Sequence, residues 1–276
     1  MSQLSVITKI VRQKKRKDRY SIFLDETYAF SVAEEVLIHF QLTKGKQLSE
    51  TEIANITKKD DYNKAYTAAL RYLGYRMRTI QEMEEYLHKQ DIPQTWIERI
   101  IVTLLDEGFL DDAVFANAFV RDRIHQTSKG PKVIEQELAK KGIKKETIKQ
   151  SLEQYTYDKQ YDKALKWLQK ERRKKAKHAH KKQEEQLKIK LLQKGFQQDV
   201  IQEVFAGNEP DFDEDREAVL FEKQAEKLYR KHSRKLAGFD FEMKLKTALF
   251  QRGFQAEMID NYIQKIRMNQ EEEIDE

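Results

Sequence analysis

Three stretches of this 276-residue chain carry residue types that could do chemistry. In GFLDDAVFANAFVRDR (108–123) the adjacent carboxylates Asp111 and Asp112 could form a general acid–base pair. DFDED (211–215) offers a carboxylate cluster to a divalent cation, and His178 and His180 offer two imidazoles. Each has a simpler reading. Imidazoles two apart on a helix point in different directions. His39, His88, His125 and His232 have no carboxylate pattern at helical spacing that suggests a site. DFDED precedes an amphipathic segment, where carboxylates cap free amides and complement the helix dipole. Asp111 reads as an N-cap and Asp112 as a first-turn acid, with Phe115, Ala116, Phe119 and Val120 as the buried stripe. Gly108 closes the preceding helix, whose apolar face reads Ile97, Ile101, Leu105. The nine glycines never fall closer than twelve positions apart, so no phosphate-binding glycine loop exists. With no cysteine, thiolate chemistry is excluded. No catalytic residue, metal site or cofactor is expected, and the chain reads as a non-enzyme.

The first fifty residues carry the strand signal. LSVITKIV (4–11) is rich in β-branched residues. RYSIFLD (19–25) places Tyr20, Ile22 and Leu24 on one face, and YAFSV (28–32) places Tyr28, Phe30 and Val32 likewise, which predicts a three-stranded antiparallel sheet. Its first connection is the basic run Lys14, Lys15, Arg16, Lys17. A short helix over 32–40 follows, and Ser49 with Glu52 forms a capping-box pattern opening another short helix.

From residue 62 a repeat takes over. YLHKQDIPQTWIERII (86–101), ELAKKGIKKETIKQSL (137–152), LLQKGFQQDVIQEVF (191–205) and LFQRGFQAEMIDNYI (249–263) align on Asp91, Gly142, Gly195 and Gly253. Four residues earlier each has leucine (Leu87, Leu138, Leu191, Leu249). The next residue is bulky and apolar, and six later each has isoleucine (Ile97, Ile148, Ile201, Ile259). This is a helix ended by a left-handed residue, a residue that packs back on it, and a second amphipathic helix. A further helix precedes each hairpin, at 62–73, 111–124, 161–168 and 215–229. The fold class is therefore mainly α: an elongated array of tandem three-helix modules with a small N-terminal antiparallel β-sheet. The expected domains are 1–61, then modules over 62–110, 111–156, 157–210 and 211–268, then an acidic tail over 269–276 whose EEEIDE end is expected to be disordered. KERRKKAKHAHKKQEEQ (170–186) reads either as a solvated joining helix or as a basic contact surface.

Apolar residues make up 39% and charged residues 36% of the chain. Against about 45–50% and about 25% in ordinary globular domains, this leaves much of the surface wet. The net charge of +5 comes from 52 basic and 47 acidic residues, a mixed surface that permits nucleic acid or an acidic protein as partner without demanding either. No signal peptide pattern and no membrane-length apolar run are present, so a cytoplasmic protein without a membrane contact is expected.

GFLDDAVFANAFVRDR followed by KGPKVIEQELAKKGI (129–143) resembles the signature of the RecX regulatory proteins. The N-terminal ITKIVRQKKRKDRYSIFLDETYAFSV resembles the sheet-forming extension of their Gram-positive members. The resemblance covers nearly the whole chain and is tightest over 62–152; Asp91, where the other corners have glycine, is a departure. It implies tandem three-helix repeats and a protein that binds the RecA recombinase filament on single-stranded DNA and mainly inhibits its recombinase, ATPase and SOS-coprotease activities. The alternative is a protein that acts by occupying DNA directly. Monomeric behaviour is expected. Contact candidates, chosen by charge and location, are Lys14, Lys15, Arg16, Lys17, Arg121, Arg123, Arg172, Arg173, Lys174 and Lys175. The stem of Arg123 is expected to lie along the apolar edge, with Arg121 on another face.

Overall fold

The computed structural model describes residues 4–174, 176–210, 213–234 and 236–275, with side chains to 268. Strands β1 (Leu4–Arg12), β2 (Arg19–Leu24) and β3 (Thr27–Ala33) are followed by α1 (Glu34–His39), β4 (Gln47–Ser49) and α2 (Glu50–Leu73). The remaining elements are helical: α3 (Ile80–His88), α4 (Gln94–Asp106), α5 (Asp112–Gln126), α6 (Pro131–Ala139), α7 (Lys145–Leu152), α8 (Tyr157–Arg172), α9 (His180–Gln193), α10 (Gln198–Ala206), α11 (Glu214–His232), α12 (Gly238–Phe250) and α13 (Ala256–Asp275). The chain forms two compact units, residues 1–115 with 141–143, and 116–140 with 144–276. Among the described residues no helix is long and apolar enough to cross a membrane.

The first unit opens with an antiparallel sheet in the order β3-β2-β1-β4. It has four strands where the alternation predicts three, because β4 is only three residues long and pairs Leu4 with Ser49 through Val6 with Gln47. Ile7, Ile22, Leu24 and Val32 close over Val36 and Ile56 in one apolar core. Tyr28 departs from the expected face. A register shift between Ile22 and Phe23 inserts one extra residue opposite them, so Tyr28 is exposed and meets Phe23 edge-on at 5.9 Å.

The expected helices near residues 49 and 62–73 are one continuous helix, α2. Ser49 caps it in a reciprocal box with Glu52, and no glycine or proline interrupts the sequence before Gly74. Mid-helix Asp60 looks like a breaker but is 1% exposed and ion-paired to Arg19 of β2 at 2.7 Å. It also accepts the Ala33 backbone N–H at 2.8 Å, which fixes α2 against the sheet. Burial pushes the Asp60 carboxyl upward, but the hydrogen bonds from Arg19, Ala33 and Lys64 win and hold it below the ordinary carboxylate range.

Beyond α2 the four corners share one shape. Asp91, Gly142, Gly195 and Gly253 have φ of 55°, 80°, 87° and 86°. Leu87, Leu138, Leu191 and Leu249 before them are all fully buried, as are Ile97, Ile148, Ile201 and Ile259 to within 4%. The Ile92 and Phe196 N–H groups reach back to the Leu87 and Leu191 carbonyls, the bond expected of a helix closed by a left-handed residue. Three readings need correction. On α4, Leu104 enters the core and Leu105 is 40% exposed, because the buried set follows Ile97, Ile100, Ile101, Leu104 rather than a strict four-residue step. The segment 170–186 is not one helix, since α8 stops at Arg172 and α9 starts at His180. Its Ala179 N–H leaves the local chain for the Arg252 carbonyl at 3.0 Å, which a continuous helix would forbid. Helix α13 runs on to Asp275, through the tail expected to be disordered, consistent with the high helix propensity of its glutamates.

Candidate functional site

The modules meet through their corners. In the first unit, a methyl group added at Gly142 would stand 2.7 Å from Cβ of Gln81, on the first turn of α3. In the second unit, a methyl at Gly195 would stand 2.6 Å from the backbone nitrogen of Val133 on α6, and one at Gly253 would stand 2.5 Å from Cβ of Lys182 on α9. Each corner thus seats on the N-terminal turn of the second helix of the module before it. Helix N-termini leave amide hydrogens unsatisfied, and the corners supply acceptors. Gly130 N–H donates to the Lys194 carbonyl at 2.7 Å and Lys132 N–H to the Gly195 carbonyl at 3.1 Å. At α3 the acceptor is a side chain: Asp112 Oδ1 takes the Ile80 N–H at 3.0 Å. The acidic pair is therefore divided between two structural tasks. Asp111 caps α5 through the Ala113 and Val114 N–H groups at 2.7 and 2.9 Å, and Asp112 reaches across to α3. Asp213 likewise caps α11 through the Arg216 N–H at 3.0 Å, while Asp211 and Phe212 lie outside the described residues. Among the described residues no group of three metal-ligating side chains converges.

The basic candidates separate into exposed and internally bound groups. Lys14, Lys15, Arg16 and Lys17 are all exposed on the β1–β2 connection, and none forms an ion pair among the described residues. Arg121 is exposed on α5 and also lacks such a pair among the described residues. Arg123 is different. Its guanidinium lies 4.2 Å from the Phe119 ring centre and bonds to Glu137 at 3.0 Å and Asp122 at 3.1 Å. Lys129 also pairs with Glu137. Burial pushes that carboxyl upward, but the bonds from Lys129 and Arg123 outweigh it and keep it below the ordinary glutamate range.

Arg172 is bound more fully, with Nε on Glu184 Oε1 at 3.0 Å, Nη1 on the Asn208 carbonyl at 2.5 Å, and its plane over Phe205 at 5.4 Å. It ties α8 to α9 and to the end of α10. Arg173 and Lys174 are exposed, Lys174 pairing with Glu171; Lys175 lies outside the described residues. In the first unit the exposed candidates share the β1–β2 connection, and in the second they lie on α5 and at the end of α8. Arg123 and Arg172 hold the fold together where charge alone suggested contacts. What the sequence conceals is the acceptor: Glu137 and Glu184 lie 14 and 12 residues away, at no helical spacing.

Comparison with known families places these elements. Residues 5–49 match the Regulatory protein RecX N-terminal domain. Residues 65–104 match the first RecX three-helix domain, 111–152 the second and 215–263 the third. The regulatory protein RecX of Oceanobacillus iheyensis is 40% identical over 262 residues, covering 93% of this chain and 96% of that protein. The Bacillus subtilis protein of the same name is 38% identical over 259 residues, covering 94% and 98%. A crystal structure of regulatory protein RecX superposes with a TM-score of 0.64 at 37% identity, covering 73% of this chain and 99% of its own. That of RecX from Lactobacillus salivarius gives 0.52 at 34% identity, covering 54% and 97%.

Proposed function

The chain belongs to the RecX family of regulatory proteins, and from that premise we propose that it binds the RecA filament on single-stranded DNA and mainly inhibits its recombinase, ATPase and SOS-coprotease activities. It would act as a cytoplasmic monomer without catalysis of its own. The observation that carries the reading is the recurrence of one corner and one seat along the chain, at Gly142, Gly195 and Gly253. A filament repeats the same subunit, and a chain of like modules can meet several subunits at once. Several weak contacts on one chain raise avidity by orders of magnitude without a single tight site. In this reading Lys14, Lys15, Arg16, Lys17, Arg121 and Arg173 face the partner, because their charge is not spent inside the protein.

The test is a titration of the full chain into RecA hydrolysing ATP on single-stranded DNA. Hydrolysis should fall with added protein. Replacing Lys14, Lys15, Arg16 and Lys17 together by glutamine should raise the half-inhibiting concentration on the order of tenfold, the scale of losing one contact among several. Hydrolysis unchanged at saturating protein would remove the reading.

A further inference from the structure

Helix α12 is apolar on two faces. Phe241, Leu245 and Leu249 point inward, into the core shared with Phe221 of α11 and Ile259 of α13. Phe239, Met243 and Phe250 point outward, and the two phenylalanines are 74% and 66% exposed. With Lys246 these three are spaced i, i+4, i+7, i+11, which is one helix face. It is also the alternating four-three step of a coiled-coil seam. A helix apolar all round is ordinarily buried all round, yet the outer face of this one is open to solvent among the described residues.

The three-helix unit does not require such a face. Aligned on Leu249 and Leu191, the same positions on α9 are Lys181, Glu185, Lys188 and Leu192. Aligned on Leu138, the last three on α6 are Lys132, Glu135 and Ala139. The terminal repeat of a helical array ordinarily ends it on a polar surface; here the last module presents two aromatic rings instead.

Charge along the helix points to what covers them. The first half of α12 carries the acids Asp240 and Glu242 and no base, and the second half carries Lys244 and Lys246 and no acid. Glu242 and Lys246 each hold one partner on α13, Arg267 and Asp260. Asp240 and Lys244 form no ion pair among the described residues. A second α12 laid antiparallel on the first sets the acidic half of each against the basic half of the other. It also brings Phe239 of each copy to Phe250 of the other, and Met243 to the aliphatic stem of Lys246. Parallel pairing would set acid on acid and base on base. The face is thus self-complementary about a twofold axis, as an isologous dimer requires.

We propose that the outer face of α12 is a self-association surface, at which two copies of this chain pair antiparallel with Phe239 against Phe250. The helix has 13 residues and is about 20 Å long, so the contact belongs to the small, weak class of interfaces. The chain is then a monomer when dilute and pairs where copies are concentrated. The proposal does not depend on the recombinase reading, since it requires only a second copy.

The experiment is sedimentation equilibrium of the full chain at low salt, with no other macromolecule present, from about 1 µM to about 500 µM. The mass should rise from one chain of 32.9 kDa toward two and stop there. F239S with F250S should weaken pairing on the order of hundredfold. Melting should be unchanged, because both rings are exposed, and V219S on the exposed face of α11 should change neither. D240K sets a base against the basic half and should weaken pairing. Adding T247D, which faces residue 240 of the other copy in the antiparallel pair, should restore it, whereas in a parallel pair the new acid would meet Glu242 and weaken pairing further. A mass that stays at one chain throughout would overturn the proposal and leave the seam to a helix of another protein. A mass that climbs past two chains, pairing untouched by the double serine variant, or no restoration by T247D would each overturn it as well.

Discussion

Two kinds of joint hold this protein together, and they differ in what they tolerate. The N-terminal sheet is fixed to α2 by a polar joint, with Asp60 buried beneath Arg19 and the Ala33 amide. Successive three-helix modules are fixed by steric joints, in which a glycine corner lies against the backbone or the base of a side chain. A polar joint tolerates changes of volume but not loss of a partner. A steric joint is indifferent to charge and fails when a single carbon is added. The comparison also explains the odd corner. Asp91 adopts the same left-handed conformation as the three glycines, so backbone conformation alone does not demand glycine. What separates it is its place: it belongs to the first module, and no earlier module supplies a helix start for it to seat on.

The largest expected effect is at the polar joint. Asp60→Ala should cost about 3–5 kcal/mol by leaving Arg19 as a buried unpaired charge, read as a lower urea midpoint of the whole chain. A loss under about 1 kcal/mol would mean that α2 and the sheet are held mainly by their apolar core. Next comes Gly195→Ala, which drives a methyl toward the Val133 backbone nitrogen as well as straining a left-handed residue. About 3 kcal/mol is expected. Gly142→Ala meets the Cβ and the movable amide end of Gln81 rather than a backbone atom and should cost less, about 2 kcal/mol. If the two glycine variants melted alike, conformation and not contact would govern the corners. The smallest effect is Asp91→Gly, expected within about 1 kcal/mol of the parent chain.

Acid separates the two joints further. The folded Asp60 carboxyl lies below its ordinary pKa, so its contribution is fully present above the unfolded carboxylate value of about 3.9 and is lost as pH falls through the lower folded value. The difference in stability between the parent and Asp60→Ala should therefore hold steady from pH 7 to about 5 and shrink below about 4. The cost of Gly195→Ala should stay constant over that range. Urea melts at fixed pH values measure both.

Much of this was legible in the linear order of residues. Ser49 and Glu52 announced the start of α2, and the leucine–corner–isoleucine spacing announced the hairpins, because caps and helix stripes are satisfied by residues within about one helical turn. Asp111 was legible as a cap for the same reason. Asp112 was not, since its acceptor role belongs to the Ile80 amide 32 residues away.

Charge was the least legible property. Lys14, Arg121, Arg123 and Arg172 look alike as letters, yet Arg123 and Arg172 are held by Glu137 and Glu184 while the others face solvent.

By itself, then, the sequence determined the repeating unit and the conformation of its corners, since both follow from bonds made locally along the chain. Only the tertiary structure decided which corner must be glycine and which cations are spent within the protein. Those properties arise when a residue's surroundings come from segments far away in sequence, as Gly130 and Gly195 do for each other.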